Sequence, residues 1–428
     1  MNNTRINNIK KQQENQGFIL VTSVIVTLIM LLLAGPFLFQ LSADNKSHKK
    51  SSKSMTALSL AEAGVERAIW EINYGDMSSW EGDSSERTLT IPDFQTSNGN
   101  VMGDIEINVT YPEGDNPVIE SIGKVSLTDS QELVTRSTMV VLEEVPLFNY
   151  AVFGGDGCVD LSSNSMIDSY DSSIGDYGGL NIGLSGHLGT NASGYGCIDL
   201  GSNSIIYGNA VSGPGSNPDT DIIIRGNAEI YGEKKSLARS KDMPSVPAPE
   251  GLSFRGDYYL DGDSSDTISV SGEYASFRIT SNAKVTITAD VILYITGDFS
   301  MRSNSQLEIA DGASVTIYLG GSFVQESNTR IINLSEGPTK LIIFGTDSFA
   351  GEMEWNSNSD FSGAVYVPQA HVTFRSNTDF YGSIICKSFD LHSNARIHFD
   401  VALESLNFDI DSEDTLYRVK SWQEKLIH

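Results

Sequence analysis

Cysteine is scarce: Cys158, Cys197 and Cys386 are the three in 428 residues, too few for a dense disulfide framework. Cys158 and Cys197 share a Gly-Cys-hydrophobic-Asp-Leu setting, so a single bridge between them and two buried thiols both fit the sequence. Histidine is also sparse, with six scattered residues, and no Cys or His pair has zinc-ligand spacing, so neither a metal nor a cofactor is expected. Positive charge is in short supply. With 28 Lys and Arg against 55 Asp and Glu, the formal net charge of −27 would repel a phosphate backbone, which excludes a nucleic-acid partner. Gly-x-Ser-x-Gly, a phosphate loop and a dinucleotide fingerprint are all missing. What is plentiful is glycine, 39 residues, mixed with Ser, Asn, Asp and Thr, the composition of short strands joined by frequent turns.

The N-terminus breaks that pattern. Phe18 to Leu41 reads FILVTSVIVTLIMLLLAGPFLFQL, 24 residues without a charge, long enough as a helix to cross a hydrocarbon core of roughly 30 Å. Arg5, Lys10 and Lys11 precede it against the single acid Glu14, which keeps the leader cytoplasmic and exports the rest; Lys46, Lys49, Lys50 and Lys53 beyond the span weaken that argument. Gly35-Pro36 should bend or locally melt the helix. From 55 to 74 the sequence MTALSLAEAGVERAIWEINY places Leu58, Ala61, Val65, Ile69 and Ile72 on one helical face.

The abrupt start of the apolar run at Gly17-Phe18, after a polar, basic leader, resembles the type IV prepilin signal. That resemblance implies cleavage between Gly17 and Phe18 by a prepilin peptidase and methylation of the new Phe18 amine. The stretch Ala57 to Ile72, with its Leu-Ala-Glu-Ala-Gly core, resembles the helix that follows the membrane segment in PilX-type minor pilins. Major pilins carry a glutamate at the fifth mature position; Thr22 stands there in this chain and cannot supply the charge pairing. The resemblance therefore implies sparing incorporation into a filament, at a tip or in an initiating complex.

Asp104 to Tyr111, Val118 to Leu127 and Leu133 to Glu143 read as strands, with a shorter one at Thr88 to Ile91, forming an antiparallel sheet against the amphipathic helix. From about Phe148 the sequence becomes self-similar. A Ser-Asn-Ser-like tripeptide recurs around Asn164, Asn203, Asn227, Asn282, Asn304, Asn328, Asn358, Asn377 and Asn394, and from Asn282 the spacings are 22, 24, 30, 19 and 17 residues. One coil of a parallel β-helix consumes about that many. Between the tripeptides, Val285, Ile287, Ala289, Val291, Leu293 and Ile295 alternate with polar residues, and Leu307 to Leu319 repeats the pattern. These asparagines are read as structural, tolerating left-handed backbone at tight corners and stacking as a side-chain ladder. The segment 237 to 262, with Pro-Ser-Val-Pro-Ala-Pro, is an extended excursion, and Leu416 to Ile427 is read as a helical tail. Phe361-Ser-Gly-Ala-Val-Tyr-Val-Pro-Gln-Ala and Phe380-Tyr-Gly-Ser-Ile-Ile resemble the repetitive C-terminal domain found downstream of PilX-type N-termini.

Signs of catalysis are thin. Asp261, Asp263 and Asp266 lack the glycine and terminal glutamate of a calcium loop and read as a solvated turn; His371, His392 and His398 could stack on one side, but no nucleophile accompanies them. The expected molecule is mainly β and not an enzyme: leader 1–17, membrane and amphipathic helix 18–74, antiparallel sheet 75–146, β-helix 147–408 and tail 409–428. Its expected place is the cytoplasmic membrane with its bulk outside, at the cell surface or in a pilus. Its expected partners are the membrane, a prepilin peptidase, other pilin-like subunits, and a surface polysaccharide or a host or abiotic surface. The alternative is a membrane-anchored β-helix that binds or cleaves carbohydrate.

Overall fold

The computed structural model describes residues 2–95, 100–114, 116–127, 132–334, 337–406, 408 and 416–425, with side chains from residue 22 onward. The chain is mainly β, with one long N-terminal helix, a small antiparallel sheet and then stacked parallel strands in a β-helix. It divides into two units, residues 1–144 with 416–428, and residues 145–415.

The first unit begins with α1, Asn2–Tyr74. The helix does not end at Gly35-Pro36; Pro36 lies inside it. A proline removes one backbone donor, and a long apolar helix tolerates that loss because its neighbouring turns keep their bonds. After α1 come β1 (Glu81–Gly82), β2 (Glu86–Gln95), β3 (Val101–Thr110), β4 (Val118–Ser126) and β5 (Leu133–Glu144), antiparallel neighbours in chain order. The helix buries Ala57, Leu60, Ala61, Gly64, Val65 and Ala68 against Ile105, Ile107, Val109, Ile119 and Val140. Each large side chain removed from water in this way contributes about 1.5–3 kcal/mol.

The buried stripe is rotated from the face expected from spacing: Leu58, Ile69 and Ile72 are only half-buried. Close approach explains the shift. A Cβ on Gly64 would lie 2.1 Å from Ser121 Oγ and 2.7 Å from Ile105 Cγ2, and one on Gly123 would lie 2.0 Å from the Ala57 carbonyl oxygen. Small residues therefore face the sheet, and the larger aliphatics flank them.

Leu416 to Ile427 is not helical where it is described. Tyr417–Lys425 is a strand paired antiparallel with β5, with Tyr417 opposite Glu144 and Lys425 opposite Ser137. The edge of β5 offers unpaired backbone groups, and satisfying them outweighs local helix preference. Asn73, at the end of α1, fixes the strand by donating to the Tyr417 carbonyl (3.0 Å) and accepting from its N–H (2.7 Å). The second unit is thus inserted, in sequence, between two paired strands of the first.

In the second unit the strands stack in parallel, with interior and exterior residues alternating as expected: Val285, Ile287, Leu293 and Ile295 are fully buried. Aromatic rings also stack inside. Tyr258, Phe277, Phe299 and Phe323 follow one another at centroid spacings of 4.2, 5.3 and 5.1 Å, and Trp355 continues the column 4.6 Å from Phe323 and 4.5 Å from Phe374.

The order of stacking differs from the order of the chain. Coils from Asp257 to Asp400 stack in sequence, but the strand Asp379–Leu391 then pairs with Val152–Gly154 and Val159–Leu161, and Arg396–Asp400 pairs with Met166–Tyr170. The first coil in sequence therefore lies mid-stack. The next coils continue away from it, Ile198–Leu200 pairing with Ile222–Ile224. The chain returns to the far end of the stack through residues 237–256, so the excursion read from prolines is a strap. It packs Leu237, Met243 and Val246 on the outside, beside Phe344 and Tyr366.

The corner asparagines adopt the expected backbone. Asn164, Asn203, Asn282, Asn304, Asn328, Asn358, Asn377 and Asn394 have φ between 60° and 64°. At the remaining corner Gly226 takes the positive φ, 54°, instead of Asn227, because glycine accepts that conformation without strain. Side chains form ladders in spatial order: Asn227 donates to Asn203, Asn203 to Asn164 and Asn164 to Asn394, at 3.1–3.3 Å. Asn304 donates to Asn282 and Asn282 to Asp263, which places that aspartate in the ladder. Replacing Asn304 by Ala should cost about 1 kcal/mol through left-handed strain, whereas Asn304→Gly should cost less despite losing the same ladder bond. Equal losses in denaturant melts would show that the side-chain bond dominates.

Candidate functional site

Two regions stand out. The first is the N-terminal part of α1. One 18-residue window there has mean hydropathy 2.4, with none of it buried by the rest of the chain. Leu31, Leu32, Leu33, Phe37 and Phe39 are each at least 67% exposed. A helix this long and apolar is suited to a membrane or to a bundle of like helices. Gly17 and Phe18 lie outside the residues with described side chains, and Thr22 lies at the start of the described apolar face, partly covered.

The second region lies on the outer face of the β-helix, and sequence reading missed it. Asp390, Asp160 and Asp199 stand side by side on successive parallel strands, each directly opposite the next. Arg225, from the following coil, holds Asp199 through both carboxylate oxygens, with Nε 2.6 Å from Oδ1. Beside them an open groove of about 360 Å³ is lined by Asp160, Ser162, Ser163, Asp199, Arg225 and Ser393. Tyr195, 85% exposed and within electrostatic reach of Arg225, stands nearby. The motif that could have revealed the pair is the shared Cys-hydrophobic-Asp-Leu. Cys158 and Cys197 form a disulfide, Cα–Cα 4.5 Å, immediately before the paired strands that carry Asp160 and Asp199.

Burial, then the Asp390 and Asp199 charges, push the Asp160 carboxyl above its ordinary range. Its folded pKa thus exceeds its unfolded one, so the ionised form opposes folding at neutral pH, and that penalty fades as pH falls through the carboxylate range. Asp160→Asn should therefore stabilise the protein at pH 7, by about 0.5 kcal/mol for exposed like charges across strands, with the gain shrinking toward pH 4. A gain that is the same at both pH values would contradict the electrostatic reading.

The histidines do not form one site. His371 bonds Ser388 (2.7 Å) and Thr373 (3.1 Å) beside Asp390, whereas His398 is buried against Asp168 (2.6 Å) with Tyr381 stacked on its ring and Tyr177 tilted against it. Asp261 and Asp266 accept from Tyr259 and Tyr258 hydroxyls. Among the described residues no group of His, Cys, Asp or Glu is arranged to hold a metal ion.

The fold and these surfaces define a β-helical protein with a single apolar N-terminal helix suited to membrane anchoring or to a signal sequence. Residues 215–406, under half of the chain, match the family model of DUF7305, a domain of unknown function. No curated protein matches. Among solved structures, the competence-associated pilin ComZ from Thermus thermophilus is 11% identical, with 88% of this chain and 98% of that one covered and a TM-score of 0.29. The glycosylated ice-binding protein LeIBP from an Arctic yeast is 10% identical over 63% of this chain and 98% of its own, TM-score 0.31. An ice-binding DUF3494 domain from Shewanella frigidimarina is 14% identical over 60% and 99%, TM-score 0.27. At such scores the function has to be argued from the chain's own geometry.

Proposed function

We propose that this protein is a minor, pilin-like component of a type IV filament system, processed by a prepilin peptidase after Gly17, that helps to initiate or cap the filament and presents its β-helix outward. The observation that carries this reading is the pairing of a bare apolar segment with a docked one in a single helix: residues 24–41 are exposed, while Ala57 to Ala68 are packed on an antiparallel sheet. Such a helix is built to lie among other apolar helices at one end and to carry a folded body at the other. Thr22 in place of an acid limits the role to a few copies, because a hydroxyl cannot neutralise a neighbouring subunit's amine. The head binds; it is not proposed to catalyse. Deleting the gene should lower filament number without changing shaft structure, and tagged protein should localise at filament ends or the membrane. Uniform labelling along shafts would refute the sparse role.

A second reading, a membrane-anchored protein that binds polysaccharide, is favoured by the groove. A carboxylate, serine hydroxyls, an arginine and a nearby exposed tyrosine match the hydroxyls and apolar faces of sugars. The two readings coexist if the head is the adhesive part of the filament.

A further inference from the structure

The strap of residues 237–256 brings a lysine into an unusual setting. Lys241 Nζ lies 2.7 Å from Asn149 Oδ1 and 3.5 Å from the Pro146 carbonyl oxygen, and 5.9 Å from the ring centroids of both Tyr150 and Phe153. Its backbone is clamped as well: Lys241 N–H donates to Asn191 Oδ1 (2.7 Å), and Asn191 Nδ2 donates to the Lys241 carbonyl (2.8 Å). The amine is thus held in place against a side-chain amide, with two aromatic rings beside it.

We propose that Lys241 and Asn149 form an intramolecular isopeptide bond. Nζ attacks Asn149 Cγ, the new Nζ–Cγ bond forms, the Cγ–Nδ2 bond breaks, and ammonia leaves. One proton passes from the attacking amine to the departing nitrogen. Nothing is oxidised or reduced, and no co-reactant is required. Two features support the step. Burial pulls the Lys241 ammonium down to about 8, which makes roughly a tenth of it neutral and nucleophilic at pH 7. Fixed placement replaces a chance encounter with a standing one. Asp242 is the carboxylate whose charge is felt at the amine. Asn149 lies just before the first coil, and Lys241 lies in the strap that returns the chain to the far end of the stack. The bond would close that crossing covalently, a useful property in a head exposed to pulling forces.

The test is mass spectrometry of the purified full-length chain after disulfide reduction. Digestion should yield one branched peptide joining the segments that contain Asn149 and Lys241, lighter than the sum of the two separate peptides by one ammonia, about 17 Da. Lys241→Arg, which keeps the charge but lacks the nucleophile, should give separate peptides. If folded wild-type protein, held at about pH 9 to neutralise the amine, still yields a free Lys241 peptide, the proposal fails.

Discussion

Trp355→Ala should destabilise the β-helix by about 3–5 kcal/mol, the range for emptying a large aromatic site in a packed core. Trp355 is fully buried and joins two parts of the aromatic column, Phe323 on one side and Phe374 on the other, with Phe361 edge-on at 5.3 Å. In a stack whose coils touch mainly their neighbours, the loss falls at an interface between coils, so melting should become less cooperative as well as earlier. Trp355→Phe should cost much less: it keeps a ring in the column and removes an indole N–H that is buried without a partner. Denaturant melts of the two variants, followed by fluorescence and by circular dichroism, check both statements. Equal losses for Ala and Phe would show that the column is incidental.

Gly123→Ala should cost about 3 kcal/mol or more and loosen the helix from its sheet. The added Cβ would meet the Ala57 carbonyl oxygen at 2.0 Å and the Ala61 nitrogen at 2.9 Å. Both are backbone atoms and cannot rotate away, so the whole helix must retreat, opening the interface that buries Leu60 and Val65. The expected readout is faster amide exchange through residues 57–68 with the β-helix unaffected, since the two units have separate cores. Ala61→Gly is a control that changes helix propensity without adding bulk, at about 1 kcal/mol. If Gly123→Ala melts like the wild type, the close approach of helix and sheet is not a real constraint.

Much of this was written locally in the chain and could be read there. The apolar run from Phe18 to Leu41 needs no partner to be recognised, and the recurring asparagines mark corners because the left-handed backbone is a property of one residue. Alternation within each strand likewise gave the buried faces of Val285 to Ile295. What escaped depends on contacts between distant residues. Nothing in the sequence near Asp160 states that Asp390, 230 positions on, will lie beside it, because coil order in space departs from coil order in the chain. The strand Tyr417–Lys425 depends on the open edge of β5, and the rotated face of α1 depends on how closely Gly64 and Gly123 let helix and sheet approach. Lys241 gave no signal, being one lysine in a proline-rich segment. The shared setting of Cys158 and Cys197 was visible, but whether they paired depended on two coils stacking in register.

In the proposed role the N-terminal helix is kept, without its leader, and joins the protein to a membrane or to a fibre. Sequencing the amino terminus of the protein recovered from cell envelopes tests this most directly. It should begin at Phe18 and carry a methyl group on its amine, with the apolar segment intact. A chain that still begins at Met1, or one trimmed beyond Leu41 and released as a free β-helix, would contradict it.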